Sequence, residues 1–162
     1  MFKADKPVFK NKKQFYNFIN MKLTGLICEE EDWLANLANA SALLGYMLED
    51  INWVGFYLYK NNELVLGPFQ GLPACTHIEI GKGVCGTAAE KREAILVKNV
   101  DEFPGHIAAY SPAMFEIVIP LIKDDKLIGV LDIDSPIYER FSEDDCDFLV
   151  KFVSILNKYV NY

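Results

Sequence analysis

Phe115-Glu116-Ile117-Val118-Ile119-Pro120-Leu121-Ile122 and Lys126-Leu127-Ile128-Gly129-Val130-Leu131-Asp132-Ile133-Asp134 are two apolar, β-branched runs separated by Lys123-Asp124-Asp125. Such runs across a short polar turn read as a β-hairpin. Side chains alternate between the two faces of a strand, so Asp132 and Asp134 share one face and Leu131 and Ile133 the other. Two carboxylates side by side repel unless a cation or a shared proton separates them. Glu116 heads the neighbouring run, so three acids fall on one hairpin. A cluster of this kind suits a substrate ammonium and supplies a raised-pKa acid for proton donation. The competing reading is a solvent-facing strand surface. A divalent metal stands third, because companion ligands are not apparent from the spacing.

Working outward, Asn52 to Tyr59 is aromatic and β-branched, Lys60-Asn61-Asn62 is a turn, and Glu63 to Phe69 is a second strand of another hairpin. Thr76 to Ile80 alternates polar and apolar, Gly81-Lys82-Gly83 breaks it, Val84 to Lys91 reads as a short helix, and Ala94 to Val97 as a short strand. A long loop follows from Lys98 to Met114; loops of that length in a compact domain are usually functional or mobile. The N-terminal third reads helical, with Phe9, Phe15, Phe18 and Ile19 on one face and a break at Thr24-Gly25. Acids at Glu29 to Asp32 mark the next helix start, and Leu34, Leu37, Ser41, Leu44 and Leu48 form its apolar stripe. Ser142 is the expected N-cap of the last helix, with Glu143, Asp144 and Asp145 in its first turn and Cys146, Leu149, Val153, Leu156 and Val160 as its stripe. Strands bracketed by terminal helices give an α+β fold, with a mainly antiparallel sheet and the amphipathic helices on one face.

The chain has 162 residues, 23 acidic and 16 basic side chains, and a formal charge of −7. That length is read as one domain, residues 1–162. An apolar fraction of 51% excludes intrinsic disorder. The acidic balance argues against nucleic acid and anionic membranes as partners. Trp33 to Leu48, the longest uncharged helical run, is shorter than the ~20 residues that span a bilayer. The start lacks the apolar stretch of a secretory signal. A cytoplasmic protein is the resulting expectation.

Four cysteines are too few for a disulfide scaffold. Cys75 and Cys85 flank one short strand. Cys85 follows Gly81-Lys82-Gly83 at a helix N-terminus, where the helix dipole and Lys82 favour the thiolate. Gly81, Gly83 and Gly86 are expected to let a small molecule approach the backbone. The pair reads as redox-active or as two core thiols, and spacing alone leaves both open. Cys28, at a helix border, and Cys146, in a core stripe, read as structural. Trp53 and Tyr57 are four apart on a strand and share a face, as a pocket floor or as core. His106, in Pro104-Gly105-His106, is a proton donor or a loop cap, while His77 reads as exposed. No phosphate loop, zinc-ligand spacing or nucleophile elbow is present.

Seven strings occur in order: Asn52-Trp53-Val54-Gly55-Phe56-Tyr57, Gly67-Pro68-Phe69-Gln70-Gly71, Pro73-Ala74-Cys75, Gly81-Lys82-Gly83-Val84-Cys85-Gly86-Thr87-Ala88, Phe103-Pro104-Gly105-His106-Ile107-Ala108, Glu116-Ile117-Val118-Ile119-Pro120 and Gly129-Val130-Leu131-Asp132-Ile133-Asp134-Ser135-Pro136. Together they closely resemble the free methionine-(R)-sulfoxide reductases, which are single GAF domains, over about residues 10 to 160. The resemblance implies a six-stranded antiparallel sheet between helices, a pocket on one sheet face and a homodimer. It implies reduction of free methionine-(R)-sulfoxide, with no bound cofactor or metal and thioredoxin as external reductant. Carried over by residue, Trp53 and Tyr57 wall the substrate thioether. Glu116, Asp132 and Asp134 bind the ammonium and assist the sulfoxide oxygen. Cys75 matches the recycling cysteine, and Cys85 lines the pocket. One departure stands out. Where the family reads His-Ile-Ala-Cys-Asp, with that cysteine usually taken as the attacking one, this chain has His106-Ile107-Ala108-Ala109-Tyr110. Ala109 therefore occupies the place of the attacking thiol. The roles left open are attack by Cys85 with Cys75 resolving, substrate binding without turnover, or a loop rebuilt for another ligand with Tyr110 and Phe115 making the pocket more apolar.

Overall fold

The computed structural model describes residues 6–105 and 113–162. Its elements run α1 (Lys12–Ile27), α2 (Trp33–Met47), β1 (Trp53–Lys60), β2 (Glu63–Gly71), β3 (His77–Glu79), α3 (Gly83–Lys91), β4 (Ile95–Val97), a 3₁₀ turn (Val100–Glu102), β5 (Phe115–Lys123), β6 (Lys126–Ser135) and α4 (Glu143–Tyr159). The strands form one antiparallel six-stranded sheet in the order β3-β2-β1-β6-β5-β4. Both hairpin turns use residues that tolerate left-handed backbone: Asn61 and Asn62 at φ 50° and 66°, Asp124 and Asp125 at 50° and 59°. Tight two-residue hairpin turns demand that conformation.

Alternation divides the sheet into two unlike faces. Val54, Phe56 and Leu58 of β1, Phe115, Ile117, Ile119 and Leu121 of β5, and Leu131 and Ile133 of β6 pack against α1, α2 and α4. The intervening positions face α3, where Trp53, Tyr57, Leu64, Val118 and Val130 meet Val84, Cys85, Ala88 and Ala89. The three long helices thus share a face as expected, and the short α3 covers the other. No helix among the described residues is long and apolar enough to cross a membrane.

Three expectations are corrected. Thr24-Gly25 does not end the first helix, which continues to Ile27; the Thr24 hydroxyl donates back to the Asn20 carbonyl and Gly25 faces open space. Cys28 is exposed at the helix end, not a core thiol. Phe115 is fully buried against Phe141 on the face of the long helices, with ring centroids 5.8 Å apart, so it is not a pocket residue. Strand parity decides this, because Phe115 precedes Glu116.

Asp145 ties α1 to α4. Its carboxylate accepts from Lys12 Nζ at 2.6 Å, the Tyr16 hydroxyl at 2.8 Å and the Ser142 backbone N–H at 2.8 Å, completing a capping box with Ser142. Burial alone pushes this carboxyl up, but the bonds from Lys12, Ser142 and Tyr16 outweigh it and hold it below its ordinary range. A depressed carboxyl stabilises the fold above its unfolded pKa, and that contribution disappears as pH falls through the folded value. Tyr16→Phe is expected to lower the unfolding free energy by about 1.5–3 kcal/mol near pH 7. Urea titrations should find the deficit shrinking below about pH 4; a deficit independent of pH would mean that Tyr16 acts by packing alone.

Candidate functional site

Strand register builds the site in three rows across β1, β6 and β5. Trp53 pairs with Asp134, which pairs with Glu116; Gly55 pairs with Asp132, which pairs with Val118; Tyr57 pairs with Val130, which pairs with Pro120. Directly opposed residues have Cβ atoms about 5 Å apart, so Glu116 and Asp134 are neighbours across the ladder. Gly55 leaves the centre of this patch without a side chain. A Cβ there would sit 2.3 Å from Phe69 Cβ and 2.8 Å from the Trp53 ring, so glycine is what lets the Trp53 ring lie over the strand.

Trp53 stacks on Phe69 at 5.4 Å and 13°, and on Tyr57 at 5.8 Å and 25°. The polar tip of each aromatic holds the β2–β3 loop: Trp53 Nε1 donates to the Leu72 carbonyl and the Tyr57 hydroxyl to the Cys75 carbonyl, both at 3.1 Å. These bonds draw Cys75 to the mouth of the cavity, where its thiol donates to the His77 carbonyl at 3.1 Å. On the opposite side, α3 begins at Gly83, and its N-cap Lys82 offers no side-chain capping bond. Gly86 presses on β3, where an added Cβ would meet the Glu79 carbonyl oxygen at 2.3 Å. Of the glycines expected to admit a ligand, Gly83 lines the cavity, whereas the other two meet the protein's own backbone: Gly86 packs on Glu79, and Gly81 donates to the Gly86 carbonyl at 2.9 Å. That tight turn fixes Cys85 in the cavity wall.

One partly open cavity is lined by Trp53, Tyr57, Cys75, Cys85, Glu116, Asp132 and Asp134 together. Apart from Phe115, the structure thereby brings together the sequence-predicted site residues that it describes. His106, Ala109 and Tyr110 lie outside the described residues. His77 is exposed as expected and meets Glu63 at 3.0 Å, away from the cavity. Lys82, Ile78, Val84 and Ala113 also line the cavity without having been assigned to it. Only the order of strands and the seating of α3 reveal them.

The electrostatics are those of buried acids without a cation. Glu116, Asp132 and Asp134 are each 6–7% exposed. Among the described residues, no lysine or arginine is paired with them. Burial pushes all three carboxyls up: Asp132 to about 7, and Glu116 and Asp134 further through the added charge of their neighbours. One Asp132 oxygen, Oδ1, is buried with no hydrogen-bond partner. The Cys85 thiol is directed at Glu116 Oε1 at 3.9 Å. Burial first, and then the charges of Asp132 and Glu116, hold it well above its ordinary value. The expectation that Lys82 and the helix dipole favour a thiolate is therefore overturned, because desolvation and three nearby carboxyls outweigh a helix N-terminus. Alone, the site is a protonated thiol beside proton-sharing carboxyls under an aromatic wall, ready to take up a cation.

The GAF domain family matches residues 33–159. The chain is 47% identical over 148 residues to the free methionine-R-sulfoxide reductase of Escherichia coli, covering 91% of this chain and 90% of that protein. It is 43% identical over 156 residues to the free methionine-R-sulfoxide reductase of Saccharomyces cerevisiae, covering 91% and 87%. The X-ray structure of free methionine-R-sulfoxide reductase from Neisseria meningitidis in complex with its substrate superposes with a TM-score of 0.90 at 42% identity, over 95% of this chain and 93% of that one.

A raised carboxyl binds more protons folded than unfolded, so it stabilises at low pH and loses that contribution as pH rises through the folded value. For Asp132 the window runs from about 4, the unfolded value, to about 7. Denaturant titrations should find wild-type stability falling across that window, with a shallower slope in Asp132→Asn. Equal slopes in the two proteins would mean that the triad holds no extra proton.

Proposed function

The chain belongs to the free methionine-(R)-sulfoxide reductases of the GAF domain family, and we propose that it reduces free methionine-(R)-sulfoxide through Cys85 and Cys75, with thioredoxin restoring the thiols. The observation that carries this reading is the joint burial of one thiol and three carboxyl groups, uncompensated by any described lysine or arginine, in a cavity shared with Trp53 and Tyr57. A free amino acid sulfoxide matches it in three parts. Its ammonium neutralises the acids, its thioether and methyl group lie on the aromatics, and its sulfoxide faces the thiol.

Ammonium binding also prepares the nucleophile. The carboxyl charges help hold Cys85 protonated, so a cation placed among them lowers the thiol's pKa toward reactivity. The Cys85 sulfur attacks the sulfoxide sulfur as its proton passes to the carboxyl cluster. A proton held by Glu116, with Asp134 beside it, goes to the sulfoxide oxygen. The sulfur–sulfur bond so formed and the substrate's sulfur–oxygen bond then break as the oxygen passes to Cys85; the sulfoxide is reduced by two electrons and leaves as methionine, and Cys85 is oxidised to a sulfenic acid. Cys75 then condenses with it, releasing water and forming a disulfide. A thioredoxin dithiol reduces that disulfide to two thiols and is itself oxidised. The resemblance that supplies thioredoxin also supplies a homodimer, and both belong to this proposal.

A second reading, capture of the sulfoxide without turnover, is favoured by Ala109 at the position of the family's attacking cysteine. NADPH oxidation coupled through thioredoxin and thioredoxin reductase separates the two. With methionine-(R)-sulfoxide, the wild type should turn over and Cys85→Ser should not. Glu116→Gln should lower kcat by roughly 10²–10⁴-fold, the span of general acid catalysis, and Ala109→Cys should raise it. Wild-type turnover no greater than that of Cys85→Ser would reject the reductase reading. Calorimetric binding of the sulfoxide in that case would establish capture.

A further inference from the structure

We propose that Cys85, Glu116 and Asp132 form a site for a borderline-soft divalent cation, Zn²⁺ above others, and that its occupation closes the pocket to substrate. One ligand atom from each residue lies within 4.8 Å of the other two, and all three residues are buried. Cys85 Sγ and Glu116 Oε1 are 3.9 Å apart. A tetrahedral Zn²⁺ with bonds of about 2.3 Å to sulfur and about 2.1 Å to oxygen holds two such atoms about 3.6 Å apart. The Cys85–Glu116 separation is thus close to that span. Asp132 supplies a second indication: the residue is 6% exposed, and although its carboxyl shares hydrogen bonds with Cys85 and Glu116, its Oδ1 is buried without a partner in the wall of the cavity. Buried carboxylate oxygens with no partner are rare in folded proteins and call for an occupant.

The donor set selects the ion. A sulfur with two carboxylate oxygens suits Zn²⁺, whereas Mg²⁺ and Ca²⁺ take oxygen ligands in six- to eightfold shells that this narrow trio does not provide. Water fills the fourth position. On binding, the Cys85 S–H bond breaks and a Zn–S bond forms. The thiol proton, and any proton shared between the carboxyls, passes to water, and no atom changes oxidation state. The bound ion occupies the place proposed for the ammonium and consumes the thiol as a ligand. Metal binding stands on the geometry alone; the inhibition rests on the reductase reading.

Co²⁺ is the informative probe, because a cobalt–thiolate bond has a charge-transfer absorption that carboxylates do not give. Co²⁺ is added to the reduced full-length chain kept in a non-thiol reductant. The band should appear with the wild type, vanish in Cys85→Ser and persist in Cys75→Ser and Cys28→Ser. Calorimetry with Zn²⁺ should find Asp132→Asn weakened by roughly 10–100-fold. A missing band, or one that survives Cys85→Ser, overturns the site whether or not the protein turns over sulfoxide. If the wild type is active, Zn²⁺ should inhibit it, with relief by chelator and by added methionine-(R)-sulfoxide. Inhibition unaffected by substrate concentration would overturn the competition.

Discussion

Taking a single carboxylate out of water costs several kcal/mol unless a cation or hydrogen bonds compensate. β5 and β6 bury three within one ladder, and no described lysine or arginine answers them. The fold meets this cost by keeping protons on the acids, which is why burial drives all three upward. The rest of the pocket is arranged around that debt of charge. Gly55 clears the floor, Trp53 and Tyr57 cover it, and their polar tips strap down the loop carrying Cys75. A cation that enters recovers an interaction whose desolvation is already complete before it arrives, and this preorganisation is what makes an acidic pocket a strong receptor.

The two sheet faces divide the work. The face toward α1, α2 and α4 is largely apolar, closed by Tyr16, Phe56, Phe115 and Phe152. The other face carries the strained chemistry beneath a helix of nine residues. Because both faces hang on the same strands, the apolar core holds the acids at fixed separation. Relaxation that would let the carboxylates drift apart would expose Leu131 or Ile133, which alternate with them on β6. Stability on one side thus enforces electrostatic tension on the other.

Parity explains what a reader of the sequence can and cannot see. Asp132 and Asp134 share a face because they are two apart, and Trp53 and Tyr57 because they are four apart; both follow from one strand alone. That the acids are buried and not solvated depends on α3 crossing above them. That Gly55 opposes Asp132 depends on β1 lying next to β6. The thiolate expected of Cys85 fails for the same reason. A helix N-terminus and Lys82 are local, whereas what governs the thiol is its burial and the charges of Asp132 and Glu116, which come from distant strands. Phe115 falls on the face of the long helices by one step of the same alternation. Thr24-Gly25 looked like a helix break because both have low helix propensity, yet the packing of Leu23 and Ile27 against the core carries the helix through.

A pocket that attracts cations by charge alone would not choose among them, so selection must come from what accompanies the charge. An amino acid brings an apolar tail, and each Å² of it covered by Trp53 and Tyr57 contributes about 25 cal/mol. A metal brings no tail, but it forms a bond to Cys85 sulfur that an ammonium cannot. The walls therefore favour one ligand and the thiol the other, and they meet at the same carboxylates. With alanine at position 109, Cys85 is the thiol that touches those carboxylates. The thiol that the proposed reduction uses is then also the one through which a soft cation would silence the site.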